Sequence, residues 1–180
     1  MSAPTGPAEV RASAAIIVAA VIEEGRSLDD VLATESDAGS ARGLKRSLCY
    51  GTLRWHIRLA AVLNALATRS PDQLQPRLRA LLEIGLFQLT SGETAAHAAV
   101  SETVSAARVL GFEKAAGFVN AILRRFQREQ ADILHAIDRD LALRTAHPRW
   151  FVDALRTDRG EAALAALDAG VALGTGYPGT

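Results

Sequence analysis

Arg46, Tyr50, Arg54 and Arg58 recur every four residues, and further along the chain Asn120, Arg124 and Arg128 do the same, with Arg125 beside them. On a helix, side chains four apart share a face, so each set reads as a row of guanidinium groups. A guanidinium fork pairs with phosphate through two parallel hydrogen bonds and stacks on planar rings. Tyr50 adds an aromatic surface of the kind on which an unstacked base is held, although core packing suits it equally well. Asn120 has the donors and acceptors for a base edge or sugar, although taken alone it fits capping of a neighbouring helix better. The chemistry these residue types offer together is the binding of a ribose-phosphate strand.

The formal charges balance, with 20 Lys and Arg against 20 Asp and Glu. That neutrality hides a local asymmetry. No Asp or Glu lies between Asp37 and Asp72, while Arg42, Lys45, Arg46, Arg54, Arg58 and Arg69 do, which predicts an electrostatic patch. A second basic island holds Arg124, Arg125 and Arg128, and the compensating acids fall mostly beyond it, from Glu129 to Asp168. Lys45 and Lys114 are the only lysines, and arginine is the better partner for phosphates and bases. The alternative reading of such charge runs is a solvated helix face.

Other chemistries find little support. Cys49 sits in an apolar helical run beside Leu48 and reads as a buried, inert thiol. His56, His97, His135 and His147 stand apart, without the paired spacing of metal ligands. No catalytic residue is identified, and neither a metal nor a bound cofactor is expected in this chain.

The rows need helices to carry them. Alanine and leucine dominate, and no segment alternates β-branched residues with a period of two, so the fold class is all-α. Val10, Ala14, Ile17, Val18 and Val21 mark a first helix that Gly25 closes, and a short helix follows with Ser27 as N-cap and Leu28, Val31 and Leu32 inward. Arg42 to about Ala67 reads as helical with a break near His56, ended by Pro71 and Pro76. Leu44, Leu48 and Trp55 point to the core there, and Gly51 suits a close approach of another backbone. Leu78, Leu81, Leu82, Leu86 and Leu89 form a stripe that stops at Ser91-Gly92. Ala96 to Val109 is helical up to Gly111. Ala115 to about Ala136 follows, burying Phe118, Val119, Ile122, Leu123 and Phe126. After His147-Pro148 come two weaker helices, near Trp150 to Arg156 and Glu161 to Val171.

The organisation expected is a disordered segment 1–9, an RNA-binding helical domain 10–136, a helical linker 137–169 and an irregular tail 170–180. One cysteine and no secretory leader point to a reducing cytoplasm. The apolar stretch from Ala12 to Ile22 is far shorter than the roughly 20 residues that cross a bilayer, so no membrane association is expected.

Four motifs in order carry a family resemblance: Tyr50-Gly51-Thr52-Leu53-Arg54, Leu82-Glu83-Ile84-Gly85-Leu86-Phe87-Gln88-Leu89, Ala95-Ala96-His97-Ala98-Ala99-Val100-Ser101-Glu102-Thr103-Val104, and Gly117-Phe118-Val119-Asn120-Ala121-Ile122-Leu123-Arg124. Together they resemble the NusB-like N-terminal domain of the RsmB (Sun/Fmu) ribosomal RNA methyltransferases. His147-Pro148-Arg149-Trp150-Phe151 is similar to the His-Pro-x-Trp-Leu element that follows that domain. The resemblance spans roughly Val10 to Leu155. It implies an antiparallel helical bundle that binds RNA, with 16S ribosomal RNA as partner. In the full enzymes a separate domain moves a methyl group from S-adenosylmethionine to carbon 5 of a cytosine.

This chain is therefore expected to dock RNA and not to methylate it alone. No strand-glycine-helix unit or Pro-Cys motif is visible, and Gly174-Thr175-Gly176 follows a helix, which makes a poor cofactor loop. Gly170 to Thr180 also departs from the Asn- and Pro-rich stretch usual in that family. Two other functions remain open. One is a free-standing NusB-type antitermination protein that binds RNA with a ribosomal or antitermination protein; the other is a helical protein-interaction scaffold.

Overall fold

Every ordered element that alanine and leucine build here is helical. The structure, a computed structural model, describes residues 6–33, 39–68 and 70–173. Among these lie α1 (Pro7–Glu24), α2 (Leu28–Ala33), α3 (Gly39–Leu66), α4 (Pro76–Ser91), α5 (Ala96–Val109), α6 (Ala116–Ile137), α7 (Leu141–Arg144) and α8 (Arg149–Leu173), with short 3-10 turns at Pro71–Gln73 and Glu113–Ala115. The punctuation is local. Proline opens α1 and α4, where its missing N–H costs nothing. Gly25 and Gly92 close them in the left-handed conformation, at φ 66° and 71°, as C-terminal glycines do.

Helix α4 is the centre of the bundle. Its residues from Leu81 to Gln88 are buried without interruption, so it is covered all round, as a helix without a polar face must be. Helices α1, α3, α5 and α6 pack against it. The apolar stripe expected on this segment is therefore one part of a fully enclosed surface. Leu59, Leu63, Val100, Val119, Leu123 and Phe126 close the core around it.

Gly85 fixes how closely two neighbours approach α4. A Cβ built there would lie 2.9 Å from a Leu123 methyl on α6 and 3.1 Å from the Thr103 methyl on α5. Both neighbours are fully buried and have no room to retreat. Gly85→Val is expected to destabilise the bundle by about 1–2 kcal/mol even after the helix-propensity gain over glycine, measured as a shifted urea midpoint at unchanged m-value.

A second, smaller core lies outside the bundle. Ala142 of α7 packs with Val152 and Leu164 of α8, supported by Leu141, Leu155 and Leu167. Helix α8 changes direction at Gly160, whose φ of 73° and ψ of −174° are not helical. The two weak helices read from the sequence are its two arms.

Five features differ from the reading of the sequence. Helix α3 runs through His56 without a break; the half-buried ring is held by a partner on α4, which removes any reason to interrupt the helix. Helix α1 begins at Pro7, within the segment expected to be disordered, and residues 1–5 lie outside the described residues. Helix α7 was not anticipated, being four residues long and too short for periodicity to reveal. Phe118 is 37 % exposed instead of buried: Ala116 and Val119 on either side of it are buried, and Phe118 lies at the edge of that buried stripe, about 100° round the helix from Val119. Of the tail at 170–180, helix α8 takes residues up to Leu173, and 174–180, with the Gly174-Thr175-Gly176 segment, lie outside the described residues, as does Arg69.

Candidate nucleic-acid interface

Helices α3 and α6 carry the two arginine rows, and three cross-contacts fix how they lie. Arg125 reaches the Leu66 carbonyl oxygen, at 2.8 Å. Arg58 pairs with Asp138, and Arg54 reaches the Thr145 carbonyl oxygen, at 3.3 Å. Rising numbers on one side meet falling numbers on the other, so α3 and α6 run antiparallel. Arg124 and Arg128 therefore sit beside the C-terminal end of α3, whereas Arg46 lies twenty residues before Leu66, about 30 Å away at 1.5 Å per residue. The arginines form two groups at opposite ends of α3, and not one continuous cluster.

At the first end the exposed Arg46 holds its guanidinium over the Tyr50 ring, 5.4 Å from the centroid. Tyr50 is 41 % exposed, and its hydroxyl donates to the Asp29 carboxylate on α2. That hydrogen bond keeps the phenolic proton in place and raises the pKa above its usual value. The ring is thus oriented from two sides, a fixed flat surface next to a cation. Lys45, counted with this basic stretch in the sequence, is buried and takes no part in the surface, because position 45 faces the bundle when 46 faces outward.

In the middle of α3 the arginines turn to internal partners. Arg54 is exposed but lies over Trp55, 5.0 Å from its ring centroid, and donates to the Thr145 carbonyl. The Arg58 side chain is only 17 % exposed; it pairs with Asp138 and donates to the Arg144 carbonyl oxygen. At the far end, Arg125 is held by Glu129, one turn away, and by the Leu66 carbonyl oxygen, where a cation completes the C-terminus of a long helix. Asn120, Arg124 and Arg128 are exposed on the outer face of α6. Arg124 donates to Gln127, at 3.2 Å, and no carboxylate pairs with Arg124 or Arg128 among the described residues.

The fold therefore sorts the eight residues by availability. Arg46, Tyr50, Asn120, Arg124 and Arg128 face solvent with their polar groups or ring open to a ligand. Arg58 and Arg125 bind the protein to itself, and Arg54 is divided between the two roles. Sequence reasoning missed the acid on Arg58, since Asp138 is 80 residues away and no spacing rule connects the two; Glu129, four residues from Arg125, was within reach of the helix pairing rule. It also treated His56 as isolated, whereas Nδ1 of His56 lies 2.7 Å from Oε2 of the buried Glu83. That hydrogen bond raises the imidazole pKa above its usual value, against the opposing effect of burial.

Comparison with known proteins decides what this bundle is. The NusB family matches residues 8–128, which takes in α1 to α5 and the arginine-bearing half of α6. The chain belongs to the NusB family. It is also similar to the ribosomal RNA small subunit methyltransferase B of Pseudomonas putida, 39 % identical over 164 residues that make up 88 % of this chain and 38 % of that protein. The corresponding proteins of Pseudomonas syringae pv. tomato and Xylella fastidiosa are each 38 % identical, across 88 % and 87 % of the chain. The chain spans little more than a third of the length of these curated relatives, at 36–38 %. Among the described residues of this NusB-family chain, no helix is long and apolar enough to cross a membrane, and no three His, Cys, Asp or Glu side chains come together as metal ligands.

Proposed function

We propose that this chain is the RNA-docking module of a 16S ribosomal RNA cytosine-C5 methyltransferase, acting in the cytoplasm. The observation that carries this reading is the extent of the similarity. It covers 164 residues, beyond the 121 that the NusB family accounts for (8 to 128 inclusive), and the proteins it leads to are methyltransferases in name. That extension favours the methyltransferase over an antitermination protein made of the bundle alone.

The mechanism is positioning. Arg46 and the Tyr50 ring take the strand at one end of α3, and Arg124 and Arg128, with Asn120 beside them, take it at the other. Phosphate contacts of this kind set register and orientation without reading sequence, and raise the concentration of the target at an active site joined to the module. In the full enzyme S-adenosylmethionine supplies the methyl group. In this reading, this chain's share of the reaction is to hold RNA.

A salt titration of RNA binding tests the reading. Three phosphates neutralised by Arg46, Arg124 and Arg128 give an expected slope of log K against log salt of about −2 for a single strand, at about −0.7 each. A slope near zero with a 16S ribosomal RNA fragment would show a scaffold with a merely solvated basic face, and the proposal would fall.

A further inference from the structure

The internal contacts of Arg54 and Arg58 converge on one place, the C-terminus of α7. A helix end leaves its last four carbonyls without intrahelical donors, and each one can be traced here. The Ala142 carbonyl oxygen accepts from His147 N–H, at 2.9 Å, and that of Leu143 from Ala146 N–H, at 3.2 Å, the paired bonds of a Schellman turn. The two that remain, on Arg144 and Thr145, accept from Arg58 and Arg54 of α3, each at 3.3 Å. The neighbouring helix thus completes the cap.

A chain of ion pairs extends from the same point. Arg58 pairs with Asp138, just after α6. Arg144 donates to the Asp138 carbonyl and forks onto both carboxylate oxygens of Asp168 on α8, at 2.7 and 2.8 Å. The apolar side chains of α7 and α8 form a core of their own. Leu143 of α7 packs against the main core, and this polar seam joins the unit to the bundle beside it. Ala146, at the turn, holds φ 53°, a left-handed conformation that a residue with a Cβ keeps only where its surroundings impose it.

From this geometry we infer that Arg54 and Arg58 are positioning residues, a clamp that holds the α7–α8 unit at one orientation to the bundle. Directional, charge-assisted bonds suit that role because they fix orientation as well as proximity. If the bundle holds RNA, the clamp fixes the angle between the strand and whatever α8 contacts. That consequence rests on the proposed function; the clamp does not.

The test uses the full chain without RNA, so its failure leaves the RNA reading untouched. Spin labels at Ala96→Cys on α5 and Ala165→Cys on α8, both exposed positions, report one distance across the seam by pulsed dipolar spectroscopy, and the native Cys49 is buried. One narrow distance distribution is expected, broad or split in Arg54→Ala/Arg58→Ala. Amides of residues 141–170 should exchange about tenfold faster while those of α4 keep their protection. Should the double variant unfold, Asp138→Asn, which keeps the side-chain shape and removes only the charge, is expected to broaden the same distribution. A distribution that stays narrow in a folded variant overturns the inference. So does faster exchange spread equally through the bundle, the signature of a merely structural pair.

Discussion

His56→Ala is expected to lower the unfolding free energy by about 2–3 kcal/mol at pH 6, the cost of removing one partner from a largely buried ionic pair. Glu83 lies at 0 % exposure on the enclosed helix α4, and His56 Nδ1 is the hydrogen-bond partner of its Oε2. Its other oxygen, Oε1, has no hydrogen-bond partner, and neither does the buried Thr52 hydroxyl, one turn before His56 on α3. A carboxylate placed there depends on the imidazolium. The dependence fixes the sign of the pH response. His56 binds its proton more tightly in the folded chain than in the unfolded one, so its stabilisation is complete below the ordinary histidine value of about 6.5 and is lost as pH rises through the higher folded pKa. Urea denaturation of the unaltered chain should show stability falling across that upper range, and His56→Ala should remove this component. Glu83→Gln keeps a hydrogen-bonding side chain without the buried charge, and is expected to cost less than about 1 kcal/mol. Equal stabilities at pH 6 for His56→Ala and the unaltered chain would show that water already solvates the pair.

The bundle was legible from the sequence wherever a local signal set a boundary. Helix α5 runs from Ala96 to Val109 as its alanine-rich pattern predicts, and Gly92 and Gly25 stop helices where an achiral residue must. Four-residue spacing also predicts correctly that Arg46, Tyr50 and Arg54 share the exposed side of α3 and that Asn120, Arg124 and Arg128 share that of α6. What spacing does not carry is which outward-facing cation meets another element. The acid-free run from 38 to 71 promised a positive surface, yet Arg58 is answered by Asp138 and His56 by Glu83. Acids distant in sequence occupy part of a helix that is purely basic when read alone. Phe118 differs for another reason: it lies at the edge of the stripe that buries Ala116, Val119, Ile122 and Phe126, and an apolar residue type does not show on which side of that edge a side chain falls.

The same sorting separates two kinds of arginine experimentally. If the proposed docking holds, Arg46→Ala/Arg124→Ala/Arg128→Ala is expected to weaken binding to unrelated single-stranded RNAs about 100-fold at low salt and to take about 2 off the salt slope, with little change in stability, since the three residues are exposed. Arg58→Ala and Arg125→Ala should do the reverse, lowering stability while leaving most RNA affinity intact, because both guanidiniums are spent on internal carbonyls and carboxylates. Filter binding with urea denaturation on the same preparations distinguishes the sets, and a loss of affinity confined to Arg58→Ala would place the strand along mid-α3 instead. Length provides the sharper discrimination. With the two exposed groups about 30 Å apart along α3, an oligonucleotide too short to span them should respond to Arg46→Ala or to Arg124→Ala/Arg128→Ala but not to both. A strand long enough to bridge should feel every substitution, and by more than the sum of two independent short sites, since the second contact is then made within a bound complex.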